Sequence, residues 1–302
     1  MQHNDNLHPD EMAKEFTQLV EDLSYSKTFY PGSKITTYLN TEAGKRYLRI
    51  YENQKQSAKR VVAFFKYDLP LIIAKHQRIL FLCFGLFVLF VAIGFFSAKT
   101  DENFVRSIMG DDYVDMTQKN IQDGNPFGVY GNGNEILSFL YIFINNMYVT
   151  LSEFAGGILL GFPTVKSLMT NSIMVGAFEY MFYSRGLMNN SLLVIMIHGT
   201  LELSTFVISA AAGLVIAKSW IFPGTRKRLD ALKTGAKEGL VIAMATFPML
   251  LVAAFFEGFI TRHVEMPLLL KLLIIGSSLS FVIGYFIIYP IRLKRKINLA
   301  QQ

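Results

Sequence analysis

Residues 192–217, LLVIMIHGTLELSTFVISAAAGLVIA, form an apolar stretch long enough to cross a lipid bilayer as a helix. Two ionisable residues near its middle, His198 and Glu202, lie one helical turn apart on the same face. A carboxylate at mid-membrane costs roughly 2.5–3.5 kcal/mol on insertion scales, so this face must contact protein or water and not lipid. The stretch therefore predicts a helix that is surrounded by other membrane helices.

The composition indicates an all-α, polytopic membrane protein. The 302 residues are 52% hydrophobic and 17% charged, whereas a soluble domain carries about 25% charge. The apolar residues are grouped into long runs, as in membrane spans. The single cysteine, Cys83, falls within the first run, which excludes an internal disulfide and a cysteine-based metal site.

The chain divides into a polar amino-terminal region and a transmembrane domain. Residues 1–78 are expected to be cytoplasmic and helical, with a break at Pro31-Gly32-Ser33. Residues 61–67 within them predict an interfacial helix, with an ordinary helix that caps the bundle as an equal alternative. Residues 79–296 form the predicted transmembrane domain, and 297–302 form a cytoplasmic tail.

Six helices are expected to span the membrane. Their predicted ranges are residues 79–96, 136–161, 166–183, 192–217, 239–260 and 268–289. The third is the least apolar, so the sequence leaves open whether it is complete or re-entrant. The fifth contains Pro248, which predicts a kink.

The distribution of charge predicts the orientation of these spans. Lys and Arg are concentrated before the first span, in the 218–237 loop and near the carboxyl terminus, whereas the 97–135 loop is acidic. Cytoplasmic loops carry the excess of basic residues, so both termini are predicted to be cytoplasmic and the acidic loop extracytoplasmic. Residues 104–113 of that loop are expected to form a short amphipathic helix on the membrane surface or over the bundle. The same distribution explains the net charge of +6, and no nucleic-acid partner is expected.

Polar residues inside four of the predicted spans are expected to form a common polar layer. They are Asn145, Asn146, Glu153, Glu179, His198, Glu202 and Glu257. The helical rise places Glu179, His198 and Glu257 within roughly 10 Å of the outer boundary, with Glu153 towards the cytoplasmic side. Such a layer either holds the helices together through hydrogen bonds or forms a proton or ion path, and both interpretations stay open.

A metal-dependent intramembrane protease is a minor alternative. His198 and Glu202 offer two ligands from one helical face, as metalloenzyme helices do. However, the His-Glu-x-x-His pattern is absent, and among the other histidines only His263 lies near enough to approach from outside. The sequence also lacks a nucleotide-binding glycine motif and a nucleophile with a plausible base. We therefore expect no metal, no cofactor and no enzymatic activity.

Short motifs along most of the chain carry a family resemblance. They are Asp22-Leu23, Tyr30–Ser33 and Tyr38–Asn40, then Phe143–Asn146, Gly156-Gly157, His198–Leu203, Ala211–Leu214 and Glu257–Thr261. Their order and spacing resemble the stage II sporulation protein M family of integral membrane proteins. Arg262 departs from the pattern, which often has proline after the threonine, and this departure puts the outer turn in doubt.

The resemblance implies a non-enzymatic scaffold or assembly factor of a membrane complex related to cell-envelope remodelling, in the bacterial cytoplasmic (inner) membrane. A transporter or channel-like protein is the alternative. The founding member of the family belongs to a complex that localises cell-wall-degrading machinery, and similar proteins are often encoded near MoxR-type ATPases and von Willebrand A-domain proteins. These two classes are the implied protein partners, beside the lipid bilayer and a second copy of the chain in a homo-oligomer.

Overall fold

All regular structure is helical in the part of the chain that the structure describes. The computed structural model describes residues 9–52, 58–131, 134–263 and 265–300. The all-α prediction is confirmed over these ranges. Two compact units are present, residues 1–64 and 65–302. The last two residues of the predicted tail lie outside the described residues.

The first unit contains a helical hairpin, with α1 at Pro9–Phe29 and α2 at Lys34–Glu52. Gly32 adopts a positive φ of 85° between them, a conformation that glycine reaches without strain. The Ser33 hydroxyl accepts a hydrogen bond from the Thr36 amide at 3.1 Å, which caps the start of α2. The predicted break at Pro31-Gly32-Ser33 is therefore confirmed.

The second unit is built from long helices at the positions of the six predicted spans. They are α4 at Leu69–Thr100, α7 at Glu135–Gly156, α8 at Phe162–Tyr183, α9 at Met188–Ile221, α10 at Arg228–Met244 followed by α11 at Thr246–Phe255, and α12 at Leu268–Ile283 followed by α13 at Tyr289–Ala300. A short helix α3 at Ala58–Ala63 and a π-helix at Phe64–Asp68 precede α4, so residues 61–67 are helical as predicted.

Four helical stretches among the described residues are long and apolar enough to cross a membrane: 60–100, 188–221, 228–260 and 268–300. These stretches contain the predicted first, fourth, fifth and sixth spans and extend beyond them. The predicted second and third spans correspond to α7 and α8, which have 22 residues each and are more polar.

The α-helix of the fifth predicted span is interrupted near Pro248, where the sequence predicts a kink. Helix α10 ends at Met244 and α11 begins at Thr246, two residues before Pro248. Proline has no N–H, so the carbonyl of Met244 loses the hydrogen bond that Pro248 would have donated four residues later.

Glycines allow neighbouring helices of the second unit to approach backbone to backbone. A Cβ atom added at Gly94 would overlap the Ile173 carbonyl oxygen, and one added at Gly157 would overlap that of Gly213. The Phe95 ring, late in α4, packs against the Tyr180 and Tyr183 rings at the end of α8. Helix α4 leads there into residues that share one apolar cluster with Met181 and Phe182 of α8. Helices α4 and α8 are therefore parallel.

The other pairs complete an alternating arrangement. Ser209 of α9 contacts Thr150 and Glu153 of α7, and Gly213 contacts Gly157, so α7 and α9 run in the same direction. Gly235 meets Ser219 and Gly239 meets Ala212, so α9 and α10 are antiparallel. We call the end of the second unit where α9 leads into α10 the basic end.

The opposite end carries two short helices, α5 at Glu102–Met109 and α6 at Asp111–Gln122. Val105, Val114 and Phe127 pack there against buried residues of α4, α8 and α9. The Phe127 ring stacks on Phe182 with centroids 5.5 Å apart. Residues 104–113 are helical over the bundle, but they belong to two helices that meet at Gly110 and not to the single helix predicted. We call residues 102–127 the cap and this end of the unit the cap end.

Candidate functional site

Three ionisable side chains meet near the cap end of the bundle. They are His198 and Glu202 on α9 and Glu257 in the π-helix Phe256–Ile260 that continues α11. One potential ligand atom from each lies within 4.8 Å of the other two. His198 is buried, whereas Glu202 and Glu257 are partly exposed. We call these three residues the His198 cluster.

The local backbone explains why these residues face one another. His198 and Glu202 are four residues apart on an unbroken α-helix, which places them on one face. Glu257 lies in a single π-helical turn that follows α11, a distortion that often occurs at functional sites. Thr261, four residues after Glu257, ends that turn and also reaches α9.

Thr261 holds the imidazole ring of His198. The Nδ1 atom of His198 lies 3.0 Å from the Thr261 hydroxyl, and that hydroxyl donates to the Phe256 carbonyl oxygen at 3.0 Å. Because a hydroxyl has one proton, Thr261 then accepts from Nδ1–H. This tautomer leaves Nε2 with its lone pair, the form in which imidazole binds a metal ion or accepts a proton.

Glu202 is approached from a third helix. The side chain of Asn146 on α7 lies near the Glu202 carboxylate. Helices α7, α9 and α11 with its π-turn thus converge on the cluster. Two carboxylates at this separation repel each other if both are charged, so a shared proton or a bound cation stabilises the pair.

The structure separates the other predicted polar residues from this cluster. Glu153 is fully buried at the level of Gly213, towards the basic end, where the Ser209 hydroxyl donates to its Oε2 at 3.0 Å. Its Oε1 has no hydrogen-bond partner among the described residues. Glu179 is buried on α8 and accepts from the Ser191 hydroxyl at 3.4 Å. The polar groups therefore form separate sites and not one common layer.

Asn145 is exposed, in contrast to the buried Asn146 beside it. One residue corresponds to a rotation of about 100° around an α-helix, so two adjacent asparagines cannot both face the bundle interior. The placement of Asn145 in an inward-facing layer is corrected on this point.

His263 is not part of the cluster, and its side chain is exposed in the turn after the π-helix. The neighbouring Arg262 donates to the Ser138 hydroxyl at 3.1 Å, so this turn is tied to the start of α7 without the proline that the family resemblance led us to look for. The third member of the cluster is thus Glu257, which the sequence predicted as a companion of Glu202 and His198 at a similar outer depth on a different helix.

Sequence reasoning missed one residue near the His198 cluster and one charged group at the opposite end of the bundle. Tyr113 of the cap lies near Glu257. Burial, with a smaller contribution from this carboxylate, raises the pKa of the Tyr113 phenol.

A charged group joins α4 to α10 at the basic end. Glu238 accepts from Lys75 at 2.5 Å and pairs with His76 at 2.6 Å. His76 occupies a non-helical kink inside α4. Pairs separated by 162 or 163 residues leave no local signal in the sequence.

An apolar cavity of about 520 Å³ lies beside the cluster. Its wall includes Leu201 and Phe256, the residues that directly precede Glu202 and Glu257. The remaining lining comes mainly from α11, α12 and the π-helix that follows α12. The cavity shows that α12 does not close fully against α11.

Long apolar helices with ionisable residues buried between them place this chain in the class of helical membrane proteins. Within that class, the chain belongs to the stage II sporulation protein M family, because the family model of that description matches residues 83–262. A second family model, described as a domain of unknown function, matches residues 2–52. The amino-terminal motifs of the resemblance therefore fall in a separately matched domain, and the match to the sporulation family begins in α4.

One curated relative is an uncharacterised protein of the archaeon Methanocaldococcus jannaschii. It is 30% identical over 137 residues, which cover 44% of this chain and 75% of that protein. No solved structure matches the chain.

Proposed function

We propose that this protein is a non-enzymatic scaffold or assembly factor of a membrane complex that remodels the cell envelope. The observation that carries the proposal is an exposed aromatic surface on the α1–α2 hairpin. Tyr25, Phe29, Tyr30 and Tyr38 each expose about 60% or more of their surface. Contiguous exposed apolar side chains mark protein interaction sites, and aromatic residues are enriched where partners bind.

The close packing of the second unit supports the same function. Backbone contacts at Gly94, Gly157 and Gly213 leave no space for even one methyl group. Small residues that let membrane helices approach in this way stabilise a fixed arrangement. A fixed arrangement suits a platform that presents surfaces to partners.

The topology that we propose has six spans, with both termini in the cytoplasm. Helices α7 and α8 have 22 residues each, which corresponds to about 33 Å and matches the hydrocarbon core of about 30 Å. The alternating directions of α4, α7, α8, α9 and α10 support two complete spans here and not a re-entrant pair. The basic end then faces the cytoplasm, and the cap lies outside. A bacterial cytoplasmic membrane is the membrane proposed.

A MoxR-type ATPase or a von Willebrand A-domain protein is the proposed partner of the hairpin. The acidic side chains of Asp111 and Asp115 on the cap are largely exposed, so the cap offers a second docking surface on the other side of the membrane. A homo-oligomer is compatible with this arrangement, since Asn145 and Tyr148 are exposed on α7.

A transporter is the second candidate, because the carboxylates of Glu202 and Glu257 are partly exposed beside a cavity. Carboxylates and imidazoles in series are the groups that proton-coupled carriers use. The transporter requires Glu202 to exchange protons, whereas the scaffold requires only that the fold survive.

Complementation of a deletion phenotype separates the two functions. If the protein is a scaffold, we expect the Phe29→Ser and Tyr38→Ser variants to stay folded and lose function. Lys27→Ser is the matched control, because Lys27 is also exposed on α1. On the same hypothesis we expect the Glu202→Gln variant to function, since the amide side chain keeps the capacity to form hydrogen bonds. Folded, functional hairpin variants beside a folded but inactive Glu202→Gln variant would overturn the scaffold in favour of the transporter.

A further inference from the structure

We propose that the His198 cluster binds one divalent transition-metal ion, and that this ion ties α9 to the π-turn after α11. The proposal goes beyond the scaffold and does not depend on it. Three ligand atoms already lie within 4.8 Å of one another. Ligands at about 2.1 Å from a tetrahedral zinc ion are about 3.4 Å apart, so side-chain adjustments of about an ångström close the site.

The donor set selects the class of ion. One imidazole nitrogen and two carboxylate oxygens resemble the His and Glu ligand sets of zinc sites. Imidazole binds Zn²⁺, Fe²⁺ and Ni²⁺ well, whereas Mg²⁺ and Ca²⁺ prefer sites made only of oxygen. The chemistry of His198 therefore favours a transition metal over the hard cations. Three protein ligands leave a fourth position for water.

The partners of the ligands are an independent observation in favour of a metal site. Metal-binding histidines almost always donate their second ring N–H to a fixed acceptor, and metal-binding carboxylates are themselves hydrogen-bonded. Thr261 accepts from the Nδ1 side of His198, so the histidine ligand has an orienting partner from a different helical segment. Asn146 on α7 supplies a polar side chain near the second ligand on α9, Glu202.

A bound cation also resolves the electrostatics of the pair. Glu202 and Glu257 approach each other in a largely apolar surrounding, where two negative charges repel strongly. A divalent ion neutralises both carboxylates at once. A shared proton is the competing explanation, and metal binding distinguishes the two directly.

The test uses the full-length protein, purified in detergent, treated with a chelator and titrated with Zn²⁺ alone. We expect about one tightly bound Zn²⁺ per chain, a higher melting temperature with the metal, and a folded protein without it. Substitution by Co²⁺ should give the visible absorption of a four-coordinate site. Glu257→Gln, which keeps shape and size, should weaken Zn²⁺ binding by tenfold or more. Thr261→Val should weaken it by 10- to 100-fold, the range typical of residues that position metal ligands.

Glu179→Gln is the matched control, because it removes a buried carboxylate outside the cluster. This variant should bind Zn²⁺ like the wild type. The proposal is overturned if the wild type binds no Zn²⁺, or if Glu257→Gln and Thr261→Val bind it unchanged, which would assign the ion to other histidines. Equal binding of Mg²⁺ would likewise contradict the selected class of ion. His198→Ala should also weaken Zn²⁺ binding. If this variant does not fold, Glu257→Gln and Thr261→Val test the proposal without it.

Discussion

The carboxylates at the two ends of the bundle have different surroundings. At the basic end, Glu153 is fully buried and receives a hydrogen bond from Ser209 on the adjacent helix. At the cap end, Glu202 and Glu257 remain partly exposed and meet each other and His198. The first carboxylate joins two helices that already touch through Gly157 and Gly213. The second pair gathers ionisable groups in one place.

This comparison shows that neighbours, and not residue type or depth alone, decide what a carboxylate in a membrane helix does. Glycine contacts at the basic end bring backbones so close that a short hydroxyl reaches the carboxylate. At the cap end, a π-turn widens the helix and directs Glu257 towards α9. We therefore interpret the Glu153 site as structural and the His198 cluster as the proposed metal-binding site.

The largest effect is expected from Gly157→Val at the basic end. A Cβ at this position overlaps the backbone of Gly213, which belongs to a rigid helix and cannot move aside. We expect a loss of about 3 kcal/mol or more in stability, seen as a large fall in melting temperature or failure to purify as a single species.

Gly276→Ala provides the control for that experiment, because nothing lies within 4 Å of an added Cβ there. It should be neutral or stabilise the protein by about 0.5–1 kcal/mol, since alanine favours a helix more than glycine does. If Gly157→Val is as stable as Gly276→Ala, the two helices are not locked as the comparison requires.

A smaller effect, about 2 kcal/mol, is expected from Phe127→Leu in the cap. The substitution removes the stacked contact with Phe182 and leaves part of a buried site empty. Faster hydrogen exchange should appear in α5 and α6 and not in α9 or α10. Exchange that rises equally at the basic end would show that the cap and the bundle unfold as one unit.

The sequence predicted the helices well because their signals are local. Apolar runs indicated the six long helices, the break at Pro31-Gly32-Ser33 follows from turn chemistry, and the kink near Pro248 follows from a missing N–H. The boundaries were less accurate: α9 extends from Met188 to Ile221, beyond the predicted 192–217. A helix can continue past the apolar stretch because polar residues also form the backbone hydrogen bonds of a helix.

The site was predicted only in part, since its geometry depends on contacts between distant segments. Spacing alone placed His198 beside Glu202. The partnership with Glu257 requires the register of a different helix, and the role of Thr261 requires the π-turn. Asn145 was predicted to face inwards because the sequence analysis inferred its depth in the membrane but not its direction around the helix axis. Packing decides which side chains of a helix face inwards. Where two adjacent residues are both polar, the periodicity of the sequence does not show which of them does so.

A third prediction compares the two ends directly through Glu153→Gln. The glutamine oxygen still accepts from Ser209, so we expect a change of no more than about 1 kcal/mol in stability. Zn²⁺ binding should be unchanged, in contrast to Glu257→Gln. A Glu153→Gln variant that loses Zn²⁺ would connect the two ends, and the division into a structural and a metal-binding carboxylate would be wrong.

The smallest effect is expected from Arg106→Ala on the surface of the cap. The Arg106 guanidinium donates to Asp115 at 2.7 Å and to Asp111 at 3.0 Å, and these two hydrogen bonds raise its pKa. The arginine therefore stays charged at every pH in ordinary use, and pH should not modulate its own contribution there. The two aspartates are well exposed and Arg106 is partly exposed, and water and salt screen such pairs strongly. We expect hydrogen exchange in α5 and α6 to increase slightly at low salt, and the difference from wild type to vanish at high salt. A large effect that persists at high salt would mean that this ion pair, and not the Phe127–Phe182 contact, holds the cap over the His198 cluster.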